Sequence, residues 1–136
     1  GNICRSPLAE GVLKSKLSST HFRIDSAGTE SFHIGKSPDC RSIKVAANHG
    51  IDISLQKARP FQLEDFSLFD KIYVMDRNNL KIIKQLAETS EQRDKVSLIL
   101  KNEEVPDPYY GDESDFEMVF GLLDNACDKI RFDLIN

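Results

Sequence analysis

The run Lys71-Ile72-Tyr73-Val74-Met75-Asp76 narrows the folds open to this chain more than any other segment. It is almost continuously apolar and too short for a buried helix, which is the pattern of a strand covered on both faces in a parallel sheet. A helical pattern over residues 78–88 follows at once, and residues 95–100 read as the next strand. Upstream, Ser6 and Pro7 open a helical stretch to about residue 17, with Ser6 as N-cap and Pro7 at the first helical position. Leu8, Val12, Leu13 and Leu17 share one stripe of it. Residues 22–26 read as a short strand, residues 38–49 as a helix stopped by Gly50 in a left-handed cap, and residues 62–69 as a short helix. The closing helix, residues 115–132, repeats Phe116, Val119, Phe120, Leu123, Cys127 and Ile130 on one face. Strands alternating with helices predict an α/β domain whose parallel sheet is built from right-handed crossovers. The 136 residues contain no repeat, low-complexity tract or linker rich in Gly, Ser or Pro, so residues 1–136 read as a single domain.

Charge and cysteine usage remove several classes of function. Eighteen Lys+Arg against 22 Asp+Glu give a net charge of −4, and no basic block is present, so a nucleic-acid tracker is excluded. No apolar run approaches the roughly 18 residues that span a bilayer, and the start does not resemble a signal peptide, so the expectation is a cytoplasmic protein without a membrane partner. Cys4, Cys40 and Cys127 are odd in number and irregularly spaced, which fits neither a disulfide framework nor a metal site. Cys40 and Cys127 are expected to be reduced, buried thiols.

A parallel sheet binds ligands in the loops after its strands, here residues 1–6, 28–37, 76–79 and 102–114. Gly1-Asn2-Ile3-Cys4-Arg5-Ser6-Pro7 runs straight into a helix N-terminus, where free N–H groups and the helix dipole favour an anion. Arg5 adds a planar cation able to grip two phosphate oxygens, and Ser6 a hydroxyl. Taken alone, the segment is equally readable as a capped helix with a surface arginine. Neither Gly-Lys-Ser/Thr nor GxGxxG is present.

GNICRSP closely resembles the phosphate loop of the low-molecular-weight protein tyrosine phosphatases, Cys-x5-Arg-Ser/Thr, usually CxGNxCRSP. The resemblance implies that Gly1, Asn2, Ile3, Cys4 and Ser6 line the phosphate site and that Arg5 binds phosphate. Counting six back from Arg5 puts the nucleophilic cysteine two positions before Gly1. Cys4 then matches the second loop cysteine, which traps an oxidised nucleophile as a reversible disulfide. The same resemblance implies a three-layer αβα fold with a four-stranded parallel sheet, whose first, central strand would also lie upstream. The expectation is a chain truncated just after the nucleophile, without turnover as it stands and poorly stable.

Asp107-Pro108-Tyr109-Tyr110-Gly111 is the second informative loop. Adjacent tyrosines in a Pro/Gly turn are costly to leave in water and are expected to wall a site, although Asp-Pro is also simple turn chemistry. DPYYG resembles the family's acid loop, which implies that Asp107 is the general acid and that Tyr109 and Tyr110 border the crevice. A thiolate would attack phosphorus, and Asp107, protonated in a partly desolvated crevice, would protonate the leaving oxygen and then activate water. The resemblance implies no cofactor and no metal.

The likeness extends more diffusely over nearly the whole chain. Ser26 matches a serine that supports the loop asparagine, here Asn2; Phe32 stands where an aromatic wall faces the tyrosines; Asp76 matches an acidic position expected to orient loops. Ser26 also reads as a strand-end turn serine, Phe32 as a satellite core residue and Asp76 as a helix cap. Gln56 departs from the animal enzymes, which often carry histidine there. His49 reads as a helix C-terminal histidine, and Asp112, Glu113, Asp115 and Glu117 as a solvated helix face near the mouth. The partners implied are phosphotyrosine-containing proteins or small aryl phosphates, acted on by a monomer or weak dimer. The competing readings are a thiol-dependent arsenate reductase, which lacks its relay cysteines here; a protein arginine phosphatase, which carries Thr where Ile3 stands; and a non-catalytic phosphate-binding fragment.

Overall fold

The computed structural model describes residues 3–29 and 34–135. In chain order its elements are α1 (Arg5–Lys16), α2 (Cys40–Asn48), α3 (Asp65–Leu68), β1 (Ile72–Val74), α4 (Arg77–Leu86), α5 (Ser90–Asp94), β2 (Val96–Leu98) and α6 (Glu113–Ile135). β1 and β2 pair in parallel, with Ile72 opposite Val96 and Val74 opposite Leu98. The architecture is therefore α/β, with α4 and α5 carrying the chain from one strand to its parallel neighbour.

The apolar stripe of α6 behaves as its periodicity predicts: Phe116, Val119, Phe120, Leu123, Cys127 and Ile130 are all buried. α1 packs along α6, and its burial is broader than one stripe, taking in Pro7 through Val12. Small residues make that possible. A Cβ on Gly11 would sit 2.4 Å from a methyl of Ile53, so the helix backbone lies against the segment after α2 at a distance only glycine permits. A second cluster, Phe66, Val74, Ile83, Ala87, Val96 and Leu98, fills the space between the sheet and α4.

Several expectations are corrected. Residues 22–26 form no strand; among the described residues this region contributes only an isolated parallel bridge between Gly28 and Pro60. A strand is defined by its neighbour, and no described segment lies in register beside this one. A cleft of about 360 Å³ separates Phe22, Ile24 and Ser26 from Tyr73 and Val74. The sheet thus has two strands among the described residues, where three of the expected four would fall within this chain. Ser6 is not the N-cap of α1: Cys4 holds that position, without a side-chain cap bond, and Ser6 and Pro7 lie within the first turn, where proline's missing N–H costs nothing. Cys40, expected in the core, is exposed as the first residue of α2. α5, capped by the Thr89 side chain, has no counterpart in the sequence reading. Gly50 does stop the segment after α2 with φ +79°.

Candidate active site

The turn into α1 is fixed by α2. The Asp39 amide donates to the Ile3 carbonyl at 2.7 Å, and the Ser42 hydroxyl to the Cys4 carbonyl at 3.2 Å. In a trans peptide the N–H points away from its own C=O, so drawing these two oxygens toward α2 turns the N–H groups of Cys4 and Arg5 to the opposite side. They lie at the positive end of the α1 dipole, in a site suited to an anion.

Arg5 is 15% exposed and held at two points. Its Nη1 donates to the Val105 carbonyl at 2.7 Å and its Nη2 meets Asp76 Oδ2 at 2.9 Å. Asp76 sits just beyond β1, where it also caps α4 by accepting from the Asn79 amide at 2.8 Å. Val105 in turn donates its amide to the Met75 carbonyl at 2.8 Å. The end of β1, the start of α1 and the beginning of the Asp107 loop are thereby tied at one point.

Asp107 lies close enough to Cys4 that its charge opposes ionisation of the thiol. Burial is the larger cause, Asp39 the second, and together they push Cys4 up to about 12. Cys4 is 5% exposed and is a neutral thiol at neutral pH. Burial raises Cys127 to about 12 as well.

The Asp107 loop is open. Asp107 is exposed rather than held in a desolvated crevice, its Oδ1 accepting from the Tyr109 amide at 3.1 Å. Tyr109 and Tyr110 pack edge to face at 4.9 Å, yet Tyr110 is 96% exposed, so it walls no pocket of the described residues. Arg41 reaches this loop from α2, donating to the Tyr109 carbonyl at 2.8 Å and the Gly111 carbonyl at 3.2 Å. Asp112 and Asp115 cap α6 reciprocally: Asp112 Oδ1 accepts from the Ser114 amide at 3.0 Å, and Asp115 Oδ2 from the Asp112 amide at 2.9 Å. The acidic face of α6 is not merely solvated. Glu113 pairs with Lys44, and Glu117 with His49, whose ring stacks on Phe120 at 4.1 Å.

Ile3, Cys4, Arg5, Asp76 and Asp107 are thus assembled at one end of the sheet, with Ser6 in the first turn of α1. The Ser26 hydroxyl donates to Glu10 Oε1 at 2.6 Å, and Glu10 also binds Lys14; the expected partner of Ser26, Asn2, lies outside the described residues. Gly1, Asn2 and Phe32 lie outside the described residues. Gln56 donates to the Pro7 carbonyl at 3.1 Å, while its buried Oε1 has no partner among the described residues. Asp39 and Arg41 were missed in the sequence. Ser37-Pro38-Asp39 signals a helix cap, but nothing local reveals a reach of some seventy residues. Among the described residues no group of three or more His, Cys, Asp or Glu side chains is placed to hold a metal ion, and no helix is long and apolar enough to cross a membrane.

The family model described as low molecular weight phosphotyrosine protein phosphatase matches residues 1–134. A putative low molecular weight protein-tyrosine-phosphatase of Synechocystis is 38% identical over 140 residues, covering 96% of this chain and 88% of the relative. The crystal structure of a protein tyrosine phosphatase from Entamoeba histolytica, with Hepes in its active site, superposes with a TM-score of 0.91 at 36% identity, over 98% of this chain and 91% of that one. Vibrio vulnificus Wzb in complex with benzylphosphonate superposes with a TM-score of 0.89 at 29% identity, over 98% and 92%.

Proposed function

The chain belongs to the low molecular weight phosphotyrosine protein phosphatase family, and from that premise we propose that it hydrolyses aryl phosphate monoesters, phosphotyrosine in proteins foremost, through a phosphocysteine intermediate. The observation that carries this reading is the convergence of Arg5, Val105 and Asp76, which brings an anion-favouring helix start against the base of a loop bearing an exposed carboxyl.

In this reading the N–H groups of Cys4 and Arg5 and the Arg5 guanidinium receive the three non-bridging phosphate oxygens. A guanidinium has five N–H donors, more than its contacts with Val105 and Asp76 use, and those contacts fix its plane. Charge spreading over the oxygens in the transition state is stabilised by donors already in place. A thiolate attacks phosphorus in line, the S–P bond forms as the P–O bond to the aryl group breaks, and Asp107 gives its proton to the departing oxygen. Asp107, now a carboxylate, takes a proton from water as that water attacks phosphorus, releasing inorganic phosphate and the thiolate. The substrate ring, carried on the phosphoryl group, enters on the side of the exposed Tyr109–Tyr110 pair. Benzylphosphonate bound to the Vibrio protein has this shape, an aromatic ring one atom from a phosphoryl group.

None of the three thiols suits the attacking role: Cys4 and Cys127 are buried with strongly raised pKa values, and Cys40 is exposed at the start of α2. The reading therefore places the nucleophile two positions before Gly1, at the end of a strand that occupies the cleft between residues 22–26 and β1. The cleft supports this, because β1 has its described partner on one side only and the lining of the cleft reaches Arg5 and Ser6. A strand lying there would run directly into the phosphate loop and complete a central position in a three-layer αβα domain. The test is turnover of a chromogenic aryl phosphate by the protein carrying its natural upstream residues. Hydrolysis that disappears when the upstream cysteine becomes serine is expected; equal hydrolysis by residues 1–136 alone would overturn the placement of the nucleophile.

A further inference from the structure

Resting on that reading, we propose that Asp39 and Arg41 are positioning residues: a two-residue bridge at the start of α2 that sets the acid loop against the phosphate loop and so governs proton delivery by Asp107.

Asp39 faces both ways. Its amide holds the Ile3 carbonyl in the turn into α1, while its side chain caps α2 by accepting from the Arg41 amide at 2.9 Å. The same carboxylate takes Arg41 in a forked pair, Nε to Oδ1 and Nη2 to Oδ2, each at 3.0 Å. Arg41 lowers the Asp39 pKa chiefly through that hydrogen bond, so the pair is fully charged at neutral pH. The guanidinium rests on Phe116 of α6, its Cζ 4.5 Å from the ring centroid, with the Tyr109 ring at 5.7 Å on the loop side. With its plane set by Asp39 and Phe116, it donates to the carbonyls of Tyr109 and Gly111.

The consequence for Asp107 follows from the chain of bonds. The Tyr109 amide donates to Asp107 Oδ1, and Arg41 holds the carbonyl of that same Tyr109 residue. The orientation of the carboxyl is therefore transmitted from Ile3 through Asp39 and Arg41 to Tyr109. The exposed loop makes this consequential: a general acid on a loosely held loop spends less time within reach of the leaving oxygen. Lysine cannot replace Arg41 in the bridge, because an ammonium has no planar fork to serve a carboxylate and two carbonyls in fixed directions.

The experiment compares kcat/KM for phenyl phosphate and p-nitrophenyl phosphate in the protein with its upstream residues, as wild type, Arg41→Ala, Arg41→Lys, Arg41→Gln and Asp107→Asn. Nitrophenolate leaves readily without a proton, whereas phenolate needs one, and kcat/KM reports the step in which the leaving group departs. The expected result is that all three Arg41 variants lose about tenfold or more on phenyl phosphate, several times their loss on the nitrophenyl ester. Inhibition by inorganic phosphate should stay within about twofold of wild type, because the phosphate grip is untouched. Equal losses on both esters, or full activity in Arg41→Lys, overturn the proposal. A wild type inactive on both esters, or an Asp107→Asn variant without leaving-group selectivity, instead overturns the phosphatase reading, and the bridge with it.

Discussion

The turn into α1 is anchored from beneath, whereas the loop before α6 is braced from the side. Cys4, Pro7 and Leu8 are buried in the main core, and the Ile3 and Cys4 carbonyls are bonded to α2. Residues 106, 107, 109 and 110 are exposed, with support arriving through the Arg41 donors and the Asp112–Asp115 cap. A site that stabilises spreading phosphoryl charge gains from donors that do not reorganise. The loop before α6 has no such burial, so its geometry depends on the side-chain donors that brace it.

The largest effect is expected where the rigid region touches phosphate. Arg5→Lys should lower kcat/KM by about 10²- to 10³-fold on either aryl ester, because the ammonium loses both the fork and its fixed plane. A loss below about fivefold in steady-state assays would mean that the turn into α1 is a capped helix and no more. Asp107→Asn should cost about 10²-fold on phenyl phosphate and distinctly less on p-nitrophenyl phosphate, a selectivity Arg5→Lys should lack. If the two variants showed the same dependence on leaving group, the division of labour between the loops would disappear.

A smaller effect separates the buried thiols from the rim. Cys4 and Cys127 stand at about 12 in the folded chain against an ordinary value of 9.0. Between those limits the unfolded chain has released protons that the folded chain retains, so stability is fully present below about pH 9 and falls as pH rises toward 12, by at most about 1.4 kcal/mol per pH unit per thiol. Urea unfolding between pH 8 and 10.5 should show this decline, shallower in Cys4→Ala and Cys127→Ala. An unchanged slope would place these thiols in contact with solvent.

Helices with long apolar stripes were legible from residues alone, since the periodicity of α6 depends only on its own sequence. The best strand was legible for the same reason, its apolar run needing cover on both faces. Residues 22–26 were not, because strand identity belongs to a pair and the described chain offers no second member beside them. α5 is only five residues long, beneath the reach of periodicity. At the site, GNICRSP and DPYYG each announced themselves locally; Arg5 pairs with Asp76 and bonds the Val105 carbonyl at the base of the Asp107 loop. What escaped was the Asp39–Arg41 connection and the bond from Ser26 to Glu10, both decided by tertiary proximity.

The central claim is that a phosphoryl group sits on the helix start with Arg5 on one side and the Asp107 carboxyl on the other. Its most direct test is the crystal structure of the protein carrying its upstream residues, grown with orthovanadate. The account predicts vanadium bonded to the upstream sulfur, Arg5 on two equatorial oxygens, and an Asp107 oxygen within about 3 Å of the apical oxygen. Vanadate seated on that loop with Asp107 turned out into solvent beyond hydrogen-bond reach, or bound away from Arg5 altogether, would contradict it.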